Sequence, residues 1–194
     1  MIKAIQLIFA GPTTWLSISQ ARWGVLKVLL VVVFPLLLSS SLVEGYALLH
    51  WGETRGEFHR VTMFSQDTIL RYELGQIGLW LVMLFGGAKL VQWVSEGFRC
   101  LPGYAACFRT VAYGLSPLLL MRFLDAAPGL NTWFSWTLGV GLMVRVLYHG
   151  VGMSLEPEQC SGFGLFLMVA ISLIILSGVS HAFGGVLLHG KLLF

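Results

Sequence analysis

Glu44, Arg122 and His181 are the ionisable side chains best placed to do chemistry inside a membrane. Each falls near the end of a long apolar stretch, and the alternation of those stretches brings the three ends to one side. Glu44 and Arg122 can then pair at the outer rim with His181 beside them. This residue set makes either a small polar site or a set of charges snorkelling from helix ends. Coupling to an ion or proton asks for more, an ionisable group near mid-bilayer and shielded from both solutions. The apolar stretches supply none, because Lys27, Lys89 and Arg145 fall near their opposite ends.

The remaining ligand-type residues form no recognised constellation. His50, Glu53, Glu57 and His59 share one connection, but their spacing matches no zinc signature, so a charged loop and no metal are expected. Cys100 and Cys107 are too far apart for a C-x-x-C knuckle and have no neighbouring base, which makes them ordinary buried or membrane-edge thiols. GxSxG, P-loop and HExxH patterns are absent. Neither an enzyme nor a cofactor is expected.

The elements that must position these residues are membrane-spanning helices. Hydrophobic residues make up 57% of the chain, charged residues only 11%, and the mean hydropathy is +0.82, outside what a water-soluble surface tolerates. Five stretches are long enough to cross hydrocarbon: about 25–48, 74–94, 110–124, 130–148 and 163–188. At roughly 20 residues per crossing, 194 residues accommodate one all-α, five-span bundle with short connections, a surface segment at 1–24 and a tail at 189–194. Pro35 predicts a kink in the first span. Gly75, Gly78, Gly86 and Gly87 allow close helix approach in the second. The polar connection between them, 50–73, is expected to hold a short surface helix. In the third span Pro117 predicts a bend whose freed carbonyl Ser116 or a neighbouring helix satisfies. Asp125, Pro128 and Gly129 make the following turn.

Residues 1–24 do not read as a signal peptide, because Pro12 interrupts a short apolar run and no small-residue cleavage pattern follows. They read as a helix on the membrane surface, capped by Thr13 or Thr14 and anchored at headgroup depth by Trp15 and Trp23. The 12 basic residues, with a net charge of +3, are scattered singly, which excludes nucleic acid as a partner. With the N-terminus cytoplasmic, Lys3, Arg22, Lys27, Lys89, Arg99, Arg109 and Arg145 lie inside, against Arg55, Arg60, Arg71, Arg122 and Lys191 outside, in the direction of the positive-inside rule. Cys100, Cys107 and Cys160 then all face the reducing side. The expected location is a bacterial inner membrane, N-terminus in and C-terminus out.

The order of features also resembles a known family. Gly11, Pro12, Trp15 and Ile18 precede the first span, and Phe85-Gly86-Gly87-Ala88 ends the second. Ala112-Tyr113-Gly114-Leu115-Ser116-Pro117 opens the third, Pro128 turns into the fourth, Leu147 to Gly152, with Gly150, closes it, and Glu156-Pro157 leads to the fifth. Over nearly its whole length the chain resembles the Yip family of five-span proteins, named as interactors of Ypt/Rab GTPases, and in particular the compact prokaryotic branch. The resemblance implies five spans, a cytoplasmic N-terminus, an opposite C-terminus and no catalytic residues. Eukaryotic members carry a long polar N-terminal region for partner binding, and only about two dozen residues precede the first span here, which argues against GTPase binding. The leading functional expectation is a non-enzymatic scaffold that binds membrane proteins, itself included, or shapes the bilayer. The alternatives are a small-solute transporter or channel between the Pro-bent first and third spans, or an accessory subunit of a larger complex.

Overall fold

The computed structural model describes residues 2–55, 60–127, 129–155 and 162–189. A helical hairpin, α1 (Ile2–Phe9) and α2 (Gly11–Ala21), precedes a long helical run. That run comprises α3 (Val25–Val28), a π turn (Leu29–Val33) and α4 (Phe34–His50). A two-stranded antiparallel ribbon, β1 (Glu53–Arg55) with β2 (Arg60–Thr62), leads into α5 (Gln66–Gly97). The chain continues through α6 (Tyr104–Gly114), α7 (Ser116–Asp125), α8 (Thr132–Ser154) and α9 (Gly162–His189). The long runs alternate in direction. Arg109 meets Trp23, Cys100 meets Leu155 and Thr110 meets Ser154 at one end; Glu44 meets Tyr72 and Arg122 at the other.

Among the described residues three helices are long and apolar enough to cross a membrane: Val25–His50, Gln66–Gly97 and Gly162–Leu188. Their surfaces carry the same signal. On the first run Leu26, Leu30, Phe34, Leu38, Leu42 and Tyr46 recur every fourth residue and are all exposed. On α9 the stripe is Phe163, Leu167, Ile171, Ile175, Val179, Phe183 and Leu187. A continuous apolar stripe facing outward suits hydrocarbon and not water.

Both proline breaks have local chemical answers. Pro35 has no amide to donate, and the helix absorbs the mismatch just upstream, where Phe34 N–H reaches back five residues to Leu29 O. The expected kink is thus built as a π turn. Pro117 leaves Tyr113 O without its helical donor, and Ser116 Oγ donates to that carbonyl at 2.7 Å. The helix does not merely bend there. It stops at Gly114 and restarts at Ser116, so the expected third span is two helices meeting at Leu115.

Three other expectations are corrected. The second span extends well beyond 74–94, because Ser65 caps a helix already running at Gln66, its Oγ accepting Thr68 N–H. At ~48 Å for 32 residues α5 exceeds a hydrocarbon core of ~30 Å. No surface helix occurs in the connection before it among the described residues; a β ribbon stands there. Gly52 makes the turn into that ribbon at φ +65, where a Cβ would lie 2.5 Å from Thr62 O.

The third correction concerns residues 1–24, whose helices do not merely lie on a surface but dock one face into the bundle. Ala4, Leu7, Trp15 and Ile18 are buried in the bundle. Trp15 is fully buried, with its indole N–H donating to Val146 O at 3.0 Å and its ring lying on Gly150 and edge-on to Tyr113 at 6.0 Å. It is not an interfacial anchor, because a glycine seat and a carbonyl acceptor satisfy both halves of the indole inside the protein. Trp23 does stay half-exposed, with Lys27 over its ring at 4.7 Å. Thr13 and Thr14 donate to Ala10 O and do not cap the helix. Pro128 lies outside the described residues.

The glycines separate cleanly. A Cβ on Gly87 would meet Leu173 at 3.2 Å and Val111 at 3.3 Å, whereas one on Gly86 would meet nothing within 4 Å. Gly87 therefore sets the contact of α5 with α6 and α9, and Gly86 faces outward. Gly87→Leu is expected to lower unfolding stability in detergent by about 1–3 kcal/mol through overpacking, with Gly86→Leu within about 0.5 kcal/mol of the parent; equal effects would refute the assignment.

Candidate functional site

Helical spacing concentrates polar side chains near the end of the bundle where α4 finishes. Ser41 and Glu44 share one face of α4; Tyr72, Glu73 and Gln76 lie within about one turn on α5; Arg122 and Asp125 are three apart on α7. Glu44 lies six residues, ~9 Å, inside the end of its helix.

Glu44 is the hub. Its Oε1 accepts Tyr72 Oη at 2.6 Å, and its Oε2 accepts Arg122 Nε at 2.9 Å and Nη2 at 2.5 Å. Arg122 Nη2 also stands 3.5 Å from Glu73 Oε2, to which Ser41 Oγ donates. Gln76 Nε2 donates to Tyr72 Oη at 3.2 Å, and Gly184 gives the Gln76 amide room to lie against α9. Glu44 and Arg122 are 5% and 8% exposed, so each charge depends on the other for solvation.

Beside this network is a cavity of about 100 Å³, bordered by Arg122, Asp125, Ser135, Trp136, Ser177 and His181 among others. Arg122 Nη1 and Trp136 Nε1 are buried at it without hydrogen-bond partners, as is Glu73 Oε1 in the adjoining network, while the Asp125 carboxyl and the Ser135 hydroxyl face each other across it. The first two are donors and the third an acceptor. The volume accommodates several waters or one small polar molecule able to give and take hydrogen bonds. Three carboxylates, Glu44, Glu73 and Asp125, face a single guanidinium among the described residues. Protons or a cation must balance the other two charges, or water must solvate them.

Glu44 and Arg122 pair as their positions at the span ends imply. His181 shares the cavity, but it packs against Trp133 at 4.7 Å and Trp136 at 6.0 Å and not against the ion pair. The sequence places Glu73 in the connection and Asp125 in the turn; the long α5 and the continuation of α7 bring both inward. The polar site is thus wider than the Glu44, Arg122 and His181 set expected at the outer rim. Tyr113, Pro117 and Gly150 belong to packing elsewhere, and Pro35 is exposed on the outer face. His50 pairs with Tyr46 O at 3.0 Å and stacks on the Tyr46 ring; Glu57 and His59 lie outside the described residues. No group of three or more metal-ligating side chains occurs among the described residues.

Away from the cavity the middle of the bundle is apolar and packed. Leu36, Leu84, Val111, Leu115, Met143, Leu147, Val169 and Leu173 fill the middle, all essentially inaccessible.

Fold and site together define the class: an all-α protein with three helices able to cross a membrane and a buried ionisable cluster near one end. No protein-family model, no curated protein and no solved structure matches the chain.

Removing one member of the ion pair strands the other. Glu44→Ala is expected to cost about 3–5 kcal/mol, measured as unfolding in a mixed-micelle titration. Glu44→Leu with Arg122→Met should recover much of that loss, though not all, since Glu73 then loses its cation. A single-site cost below about 1 kcal/mol, or a double variant no better than the single, would show that the pair does not hold this end together.

Proposed function

We propose that the chain is a non-enzymatic five-pass membrane protein of the Yip type, which binds other membrane proteins or copies of itself, or shapes the bilayer. The carrying observation is the packed apolar middle separating two polar ends, which suits a structural bundle better than a conduit. Three apolar helices supply three of the passes; the broken α6–α7 pair and α8 supply the other two in this reading, since their directions alternate with the rest. The Yip-like order of glycines, prolines and aromatics supports the same count, and the basic residues favour a cytoplasmic N-terminus in a bacterial inner membrane. The exposed Gly86, beside Val82, Phe85 and Trp93 on the outer face of α5, is the contact offered to a partner helix.

The cavity beside Glu44 favours a second reading, binding or movement of a small polar solute, because its unpartnered donors and acceptors match such an occupant. A role as accessory subunit of a larger complex is the same binding reading with a fixed partner.

Two measurements divide these readings. Co-purification in mild detergent should recover associated membrane proteins or a homo-oligomer, and Gly86→Leu should reduce that recovery severalfold without lowering monomer stability. A monomer without partners or effect on vesicle shape, together with solute flux into liposomes abolished by Glu44→Gln, would replace the organiser with the transporter. Cysteine labelling at the two termini should report opposite faces; labelling from one face would remove the five-pass reading.

A further inference from the structure

The end of the bundle opposite Glu44 holds an open cleft of about 490 Å³, distinct from the carboxylate cavity. Three separate segments each contribute an arginine to its wall: Arg22 after α2, Arg99 after α5 and Arg109 from α6. Ser19 and Ser154 add hydroxyls, and no carboxylate borders it among the described residues. Arg22 and Arg109 are near enough for their charges to repel. Arg109 is held in place by donating Nη1 to Trp23 O at 2.9 Å, while its Nε is buried without a partner.

Two of these arginines are also held in costly backbone geometry. Arg22, at φ 44, and Arg99, at φ 57, are the non-glycine residues with positive φ among those described. An L-residue rarely adopts that region, and such strain persists where the surroundings enforce it. Here both positions end helices, Arg22 as the left-handed cap of α2 and Arg99 just past α5, and both border the one cleft. Like charges gathered from three segments, with no internal counter-charge among the described residues, repel one another until an anion joins them.

Lys27 and Lys3 lie over the Trp23 ring beside this end, and Leu101 is 85% exposed at the rim. A tryptophan with flanking cations and an outward leucine marks headgroup depth. Guanidinium groups match the oxygens of a phosphate in paired hydrogen bonds, which a single lysine cannot do. We propose that this cleft is a binding site for a phosphate group, the headgroup of an anionic lipid in the adjoining leaflet or a free phosphate of the same chemistry. The site does not depend on whether the protein organises partners or carries a solute.

The test uses the full chain in uncharged detergent, titrated with dihexanoyl phosphatidic acid, dihexanoyl phosphatidylcholine and inorganic phosphate, and read by native mass spectrometry and thermal shift. Phosphatidic acid is expected to bind at least about tenfold more tightly than phosphatidylcholine. The double variant Arg22→Gly with Arg99→Gly removes two cations, and glycine adopts positive φ freely. It should keep or raise the melting temperature of the unliganded protein while weakening phosphatidic acid about thirtyfold. Lys89→Gln, at the same end but outside the cleft, should leave binding unchanged. Displacement of the lipid by millimolar inorganic phosphate identifies a free-phosphate site, and resistance to it identifies a headgroup site; either supports the assignment. Equal binding of the two lipids, or undiminished phosphatidic acid binding by the folded double-glycine variant, overturns it.

Discussion

Glu44 and Arg122 are 78 residues apart in sequence and meet where neither charge is stable alone. A lone carboxylate or guanidinium in a helical bundle costs several kcal/mol in lost hydration, so the first run and α7 are held at one register by the need to keep the pair together. Tyr72 and Glu73 bring α5 into the same arrangement. A slip of one turn, ~5.4 Å, along either helix would leave the charges out of hydrogen-bond reach. Apolar packing against lipid gives little such discrimination, because lipid tails are as apolar as leucine. Polar groups can therefore specify register in a bundle whose apolar contacts tolerate sliding.

That requirement accounts for the division of the molecule. Buried polar side chains must find partners, and partners are easiest to gather near the helix ends, where irregular backbone and water are close. The carboxylates Glu44, Glu73 and Asp125 collect at one end, the arginines Arg22, Arg99 and Arg109 at the other. Between them the helices are free to pack on leucine, valine, glycine and methionine. The middle still contains polar backbone, at the breaks near Pro35 and Pro117, and both breaks are resolved within a few residues by a five-residue reach or a serine hydroxyl.

How much of this was legible in the sequence follows the range of the interactions. Apolar runs are local, so the helical class and the three long apolar helices could be read directly. Pro117 and Ser116 are adjacent, so the freed carbonyl and its donor could be read together. The Glu44–Arg122 pair follows from alternation of direction once the runs are placed. Glu73 and Asp125 were not legible as members of that site, because hydropathy ends a span where the charge begins, whereas the helix continues as long as its backbone bonds do. The Ser65 cap was the available signal for α5. Trp15 was misread for a different reason. A tryptophan near a chain start and flanked by serines has the composition of an interfacial anchor, and nothing nearby shows that Gly150 offers it a seat.

The docking of Trp15 has a consequence for the basic end. With Trp15 held by the Val146 carbonyl 131 residues away, α2 cannot leave the bundle without breaking that hydrogen bond and opening a hole the size of the indole ring. Arg22 follows within two turns of that anchor, and Trp23, next in sequence, accepts Arg109 through its carbonyl. The N-terminal hairpin thus acts as a fixed wall that carries one arginine of the cleft and orients another. Its apolar face stabilises it in the bundle, and its C-terminal end carries positive charge to the cleft. A segment read from composition as lying on the membrane instead docks one face into the bundle through Ala4, Leu7, Trp15 and Ile18, while Ile5, Phe9 and Leu16 stay exposed on its other face.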